Sequence, residues 1–301
     1  MDNEWEVIIV GAGPAGLSAA LILGRCRRRV LIVDTDRPRN WASDAVHGFL
    51  TRDGVHPKEL RRLGRKELER YDTVQLQPIE ARVARRVKNG FQITLGDSTR
   101  HRCRKLLLAT GVVDEIPEVD GLLELYGKSV FHCPYCDGWE CRDQPIVVYG
   151  TNKNAAGLAL NLTQWSRDLA VCTDGHRLSA NTAARLAGHN IGLRQEPIER
   201  LEGVRGQLRR IIFATGDSIE RRFMFFSSGQ HHACDLAAKL GCDFTRKGAV
   251  QTGAYEVTKI PGLYVAGDAS RLVQLAIVAA AEGAQAAFSI NKALTEEDLH
   301  L

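Results

Sequence analysis

The stretch Val7-Ile8-Ile9-Val10-Gly11-Ala12-Gly13-Pro14-Ala15-Gly16 decides the fold. Four β-branched apolar residues in a row read as a strand buried on both faces, and Leu17 to Leu23 beyond the glycines carries helical patterning. In a strand, glycine turn and helix, Gly11 makes the tight turn, Gly13 lets backbone amides approach a pyrophosphate, and Gly16 brings the helix close to the strand. Pro14 and Ala15 open the helix between them. A second strand, Val30-Leu31-Ile32-Val33, ends in Asp34, which lies 34 − 11 = 23 residues past the first glycine. A carboxylate at that distance accepts from a ribose hydroxyl of an adenine dinucleotide. The strand, the helix and the terminal acid together turn a weak GxGxxG match into a strong one.

Outward from this unit, Asp36 to Gly54 is polar and turn-rich, with Pro38, Asn40, Trp41, His47 and Gly48; such a loop either wraps a ligand or merely connects. Pro57 opens an arginine-rich helix to about Tyr71, and Ile79 to Val87, Phe91 to Leu95 and Cys103 to Leu108 read as strands. The last of them ends in Ala109-Thr110-Gly111, and Pro117 with Val119 to Gly127 forms a crossover linker. The first pattern then repeats in altered form as Ile146-Val147-Val148-Tyr149 followed by Gly150-Thr151-Asn152-Lys153-Asn154-Ala155. Gly150 keeps the turn, Asn152 replaces the glycine that gives phosphate access, and Ala155 stands in for the packing glycine. The next strand, Leu169 to Cys172, leads to Asp174, 174 − 150 = 24 residues past that turn. Gly192 to Glu196, Leu208 to Phe213 and Ile219 to Phe226 supply three more strands.

The chain then returns to its first domain through the buried strand and acid of Gly262-Leu263-Tyr264-Val265-Ala266-Gly267-Asp268 and an Ala-rich helix from Val273 to Leu294. These patterns predict an α/β fold of two Rossmann-like nucleotide-binding domains, each a three-layer ββα arrangement, the second inserted into the first. The expected boundaries are 1–115 with 248–301 for the first and 116–247 for the second.

The second domain opens with Phe131-His132-Cys133-Pro134-Tyr135-Cys136-Asp137-Gly138-Trp139-Glu140. Two cysteines with two residues between them can close a disulfide in a tight turn, and a following helical turn lowers a thiol pKa into the reactive range. Zinc is the rival reading, with His132 and Cys141 as further ligands, but the chain has no second such pair. Asp137 suits either proton transfer at a thiolate or a helix N-cap. The remaining Cys26, Cys103, Cys172, Cys234 and Cys242 sit in mainly apolar or strand-like surroundings and read as small buried hydrophobes. His231-His232 with Cys234 forms a cluster that is either solvated or lines a partner or metal site, and Trp41 and Trp139 either stack near a ring or pack in a core.

A chain of 301 residues with 44% hydrophobic content can bury two cores, and no apolar run approaches the roughly 20 residues that cross a bilayer. The acidic start Met1-Asp2-Asn3-Glu4 does not resemble a basic, then apolar export signal, so a cytoplasmic setting with reduced thiols is expected. The net charge of +4 is spread out, and its densest run, Arg25 and Arg27 to Arg29, falls at a helix end where positive charge suits the dipole; nucleic acid is not an expected partner.

The order GAGPAG, ATG, CPYCDG, a second nucleotide fold, GLYVAGDAS and an Ala-rich helix resembles the low-molecular-weight thioredoxin reductases from Val7 to about Leu294. The resemblance implies non-covalent FAD held by Gly11, Gly13, Pro14, Ala15, Gly16, Asp34, Asn40, Thr110, Gly111, Gly267 and Asp268, with Gln274 near the ring, and a homodimer. It implies that Cys136 faces the flavin and attacks its C4a atom, that Cys133 exchanges with a partner disulfide, and that Asp137 moves the proton. The Ala-rich helix would point its positive end at the reduced ring. One departure is that Thr173-Asp174-Gly175 stands where NADPH-using members carry His-Arg-Arg, so an acid meets the 2′-phosphate. NADPH is therefore a poor fit, while NADH through Asp174, ferredoxin or a second flavin stay open as donors. The resemblance points first to a reductase of a thioredoxin-like protein with a donor other than NADPH; the alternatives are a dithiol oxidase running in reverse on small-molecule or protein dithiols, with oxygen or a second flavin as acceptor, and a flavin- or zinc-binding regulatory module without turnover.

Overall fold

Strand β1, Glu4–Val10, buries Val7 to Val10 completely and lies between two parallel neighbours, Val30–Val33 (β2) and Arg100–Leu108. The computed structural model describes residues 4–227 and 229–300. Val74–Gln77 adds a further parallel strand beyond β2. Along its other edge, Arg100–Leu108 serves two further partners. Arg100 to Cys103 pairs antiparallel with Gly90–Leu95, and Leu106 to Leu108 pairs parallel with Leu263–Val265. Ala81–Val87 continues the antiparallel part.

Helix α1, Pro14–Arg25, covers one face of the parallel sheet together with the C-terminal helix Ala276–Asp298. Their contact is built from small residues, Ala15, Ala19 and Ala20 against Ala279, Ala286 and Ala287. A Cβ on Gly283 would overlap the carbonyl oxygen of Ala15, so the helices touch backbone to backbone. Arg28 is absorbed in the same assembly, where it donates to Glu6, Asn291, Thr295 and Asp298 at 2.6 to 2.8 Å. The opposite sheet face packs Ile8, Leu31 and Leu106 on the antiparallel layer of Ala84, Phe91 and Ile93.

The chain divides into two compact units, 4–41 with 48–113 and 231–300, and 42–47 with 114–230. The return to the first unit falls at 230/231, 17 residues before the expected 247/248, because Leu236, Ala237, Leu240 and Cys242 bury in the first unit's core. The second unit is a parallel sheet in the order Gly192–Arg194, Leu169–Cys172, Ile146–Tyr149, Phe223–Phe226, Val130–Phe131, with an antiparallel meander of Ile198–Val204, Gln207–Phe213 and Ser218–Glu220. The single strand expected over Ile219 to Phe226 is thus two strands in different sheets. Its first part is an exposed meander edge, and Phe223–Phe226 is an apolar run that pairs on both sides. The short strand Val130–Phe131, which leads into the cysteine pair, and the helix Ala180–Gly188 were not expected. No helix among the described residues is long and apolar enough to cross a membrane.

Replacing Gly283 with Ala should force the two helices apart and cost about 1–3 kcal/mol by overpacking. Gly157→Ala, in a helix where a Cβ meets nothing, should instead gain up to about 1 kcal/mol. Thermal or urea unfolding of both variants checks the pair, and equal effects would refute the close approach.

Candidate active site

Three parallel strands end side by side in the first unit: β1 in the glycine turn, Arg100–Leu108 in Thr110-Gly111, and Leu263–Val265 in Gly267-Asp268. The carboxyl ends of such strands are where α/β sheets take their ligands. Gly11 has φ +104°, and a Cβ there would overlap the carbonyl of Ala109. A Cβ on Gly16 would overlap the carbonyl of Gly11. Both glycines are therefore fixed by protein packing. A Cβ on Gly13 would meet no protein atom within 4 Å, and Gly13 caps α1 without a side-chain hydrogen bond or an acidic residue in the first turn. Amides left open at a helix start with space before them are what a pyrophosphate needs.

The Asp34 carboxylate braces the glycine turn. It accepts from the Ala12 amide at 2.9 Å, the Asp36 amide at 3.0 Å and Arg65 Nη2 at 3.1 Å. Arg65 Nε is buried with no hydrogen-bond partner, an orphaned donor that fits a ligand rich in acceptors, and Arg61 Nε has only an ion pair with Asp36 Oδ1 at 3.5 Å. Asp268 and Gln274 are brought together by Arg39, whose Nη1 lies 2.8 Å from Asp268 Oδ2 and 2.7 Å from Gln274 Oε1. Asn40 is the half-buried turn residue beside it, and Ala15 and Pro14 sit in the first turn of α1, Ala15 with its side chain in the core. Sequence reasoning missed Arg39, Arg61 and Arg65, since arginines in a polar loop and on an exposed-looking helix carry no local signal of their partners.

In the second unit, Val130–Phe131 delivers His132 and then Cys133, the N-cap of the single helical turn Pro134–Asp137. The Cys136 and Asp137 amides both donate to the Cys133 carbonyl, at 3.1 and 3.2 Å, and the two sulfurs are joined across a Cα separation of 5.3 Å. Asp137 closes this turn and is not an N-cap. Burial, partly offset by the charge of His47 and reinforced by Glu140, pushes its carboxyl up to about 7. An acid poised there is suited to moving protons at neutral pH. His132 lies 3.7 Å from Asp114 and 3.4 Å from the Tyr126 hydroxyl.

Tyr135, between the two cysteines, and Trp139, three residues beyond them, are 68% and 66% exposed. Tyr135 stands edge-on to Trp165, and Arg142 lies 4.2 Å over the Trp139 ring. Trp41 is exposed as well, so neither tryptophan packs in a core.

The altered glycine motif of the second unit satisfies itself. Asn152 caps the following helix, its side chain accepting from the Asn154 amide at 2.8 Å. Asp174 accepts from the Tyr149 hydroxyl at 2.9 Å and the Ile198 amide at 2.8 Å, and burial and this acid push the Tyr149 hydroxyl up to about 12. Asn152 thus caps its own helix start, and Asp174, like Asp34, accepts from the chain's own groups.

Among the described residues no group of three or more His, Cys, Asp or Glu could hold a metal. Burial and the acids Asp137 and Glu140 push the Cys141 thiol far up, which suits an inert thiol better than a zinc ligand. His232 is taken by the Gly248 carbonyl at 2.7 Å and packs edge-on against Phe244.

A family profile described as pyridine nucleotide-disulphide oxidoreductase matches residues 5–283. A probable thioredoxin reductase of Arthroderma benhamiae is 30% identical over 302 residues, covering 89% of this chain and 75% of its own length. The thioredoxin reductase aclD of Aspergillus oryzae is 29% identical, with 98% of each chain covered. The crystal structure of an oxidoreductase from Agrobacterium tumefaciens superimposes with a TM-score of 0.90 at 32% identity, covering 97% of this chain and 99% of that one.

Because Gly13 has no protein neighbour to collide with, Gly13→Ala should leave the unfolding temperature of the apoprotein nearly unchanged yet weaken FAD binding by about tenfold or more, an affinity loss of ~1.4 kcal/mol. Titration of apoprotein with FAD, read by quenching of flavin fluorescence, checks this; undiminished affinity would show that the turn does not cradle the cofactor.

Proposed function

Since this chain belongs to the pyridine nucleotide-disulphide oxidoreductase family, we propose that it oxidises dithiols, passing their electrons through the Cys133–Cys136 pair to FAD and on to oxygen. The observation that carries the direction is the self-satisfied second nucleotide fold. Asn152 caps the helix start that a pyrophosphate would take, and Asp174, which accepts from Tyr149 and Ile198, places an acid where a 2′-phosphate would lie. A nicotinamide dinucleotide would have to displace the Asn152 cap, and NADPH would also bring its 2′-phosphate against Asp174. Without that donor, electrons enter from thiols, and thiol–disulfide exchange runs whichever way the potentials dictate.

In this reading a substrate thiolate attacks Cys133 Sγ, the Cys133–Cys136 bond breaks, and Cys136 leaves as a thiolate. The second substrate thiol then closes the substrate disulfide and releases Cys133. FAD, when bound, supplies the acceptor for the resulting electron pair. Gly11, Gly13, Pro14, Ala15, Gly16, Asp34, Asn40, Thr110, Gly111, Gly267, Asp268 and Gln274 are the residues we assign to holding it, and Asp137 handles the protons. The exposed Tyr135 and Trp139 favour a substrate with an apolar or aromatic body beside its sulfurs. A second reading, reduction of a thioredoxin-like protein by a donor other than NADPH, is favoured by the names of the fungal relatives.

The six cysteines outside the pair are all unpaired, which fits a reducing cytoplasm. We further infer a homodimer in which a second copy covers the exposed apolar residues Leu272, Val273, Tyr255 and Phe288 of the first unit. Light scattering should return twice the chain mass of 33.2 kDa, and the mass of one chain would refute it.

Mixed anaerobically with the FAD-loaded protein, stoichiometric NADPH or NADH should bleach the flavin slowly or not at all, while dithiothreitol bleaches it readily. In air, dithiothreitol should drive steady oxygen uptake, which Cys133→Ser abolishes. Rapid bleaching by either nicotinamide would overturn the oxidase reading in favour of the reductase.

A further inference from the structure

The antiparallel meander of the second unit walls a cleft of about 730 Å³ that lies wholly within that unit. Pro145 and Arg222, at its base, immediately precede the parallel strands Ile146–Tyr149 and Phe223–Phe226, so the cleft lies at their amino ends. Gly150, Asp174 and Cys133 all follow the carboxyl ends of strands in the same parallel sheet. The cleft is therefore separate from the altered glycine motif and from the dithiol. Arg209, Arg210, Arg221 and Arg222 line it with Glu202 and Glu220, a surplus of 4 − 2 = +2 charges. Backbone bonds fix the spacing, since the Arg221 amide donates to the Arg209 carbonyl at 3.1 Å and the Arg222 amide to the Pro145 carbonyl at 2.9 Å. Glu202 is already shared, accepting from Arg210 Nε at 2.6 Å and from Arg200 at 2.8 and 3.0 Å. Arg221 is only partly satisfied. Its Nη1 donates to the Glu220 carbonyl at 2.9 Å, its Nη2 lies 3.5 Å from Asp168, and its Nε is buried without a partner. Arg209 and Arg222 are exposed, and their side chains have no hydrogen bond or ion pair among the described residues.

We propose that this cleft binds a small molecule carrying two or more linked phosphates, either the phosphate chain of a nucleotide or free polyphosphate. Guanidinium groups gathered without matching acids repel one another, and an anion seated among them removes that cost. Each guanidinium is a planar fork that takes two oxygens of one phosphate. A phosphate group brings nearly two negative charges and three acceptor oxygens, so linked phosphates meet both the surplus charge and the separate forks, which one carboxylate does not. The volume falls within the roughly 300–1,000 Å³ of small-molecule sites. Pro145 and the exposed Val204 add an apolar stretch beside the arginines on which a nucleoside can rest. Binding here is independent of the direction in which the cysteine pair runs.

The test is calorimetric titration of the FAD-loaded full chain, whose own adenine site is then filled, with ATP, tripolyphosphate and AMP in about 0.1 M salt without added metal. ATP and tripolyphosphate should each bind with a dissociation constant below about 1 mM, and AMP, with its single phosphate, about tenfold more weakly or worse. Arg209→Gln combined with Arg222→Gln, two exposed positions whose replacement breaks no contact, should weaken ATP and tripolyphosphate by about tenfold or more. Arg100→Gln combined with Arg102→Gln, an equal loss of charge on an exposed strand face of the first unit, should leave both unchanged. Tighter binding of ATP than of tripolyphosphate would assign the cleft to nucleotides, and equal binding would assign it to free polyphosphate; both support it. Absence of binding, binding that the cleft variant leaves intact, equal weakening by the two double variants, or AMP bound as tightly as ATP would each overturn the proposal.

Discussion

The close approach of backbone to backbone around the first glycine turn is the constraint on which the first unit depends. Gly16 lets α1 sit against the Gly11 carbonyl, and Gly283 lets the C-terminal helix sit against the carbonyl of Ala15. Side chains at either place would hold the helices away from the sheet. With them absent, the ends of β1, Arg100–Leu108 and Leu263–Val265 converge, and residues as distant in sequence as Arg39, Asp268 and Gln274 come within hydrogen-bonding reach. Gly13 differs from its neighbours because nothing in the protein requires it. Its smallness leaves open space before the helix start.

The two nucleotide folds show how one backbone plan diverges through a few side chains. Both have a parallel strand, a turn and a helix, and both have an acid at the end of the second strand. In the first unit the helix start is left without a side-chain cap. In the second, the Asn152 amide oxygen takes the place of an anion, and Tyr149 and Ile198 occupy the acid. The second unit has a further task. Here it carries the strand and helical turn that present Cys133 and Cys136.

Around that turn, electrostatics is set by burial more than by partners. Asp137 is raised by the loss of water, and the opposing charges of His47 and Glu140 adjust it. Cys141, only four residues on, is raised by the same burial, and nearby acids move it further. The same cause thus moves two groups close in sequence in opposite senses, the acid towards neutrality and the thiol away from it.

The sequence by itself determined the elements whose cause is local. Apolar β-branched runs, glycine spacing and the terminal acids sufficed for the two sheets, for the insertion of one unit in the other and for the cysteine pair, because strand burial, tight turns and a two-residue loop between thiols depend on neighbours along the chain. Tertiary structure alone decided what distant groups do to one another. Asp34 braces a turn with Arg65, Arg39 joins Asp268 to Gln274, and Asp174 accepts from Tyr149. It also split the stretch from Ile219 to Phe226 between two sheets and returned the chain early through Leu236 and Ala237. Hydrogen-bond partners and burial are properties of proximity in space, so these arginines, ordinary polar residues in one dimension, acquire their meaning only where the chain folds them against an acid.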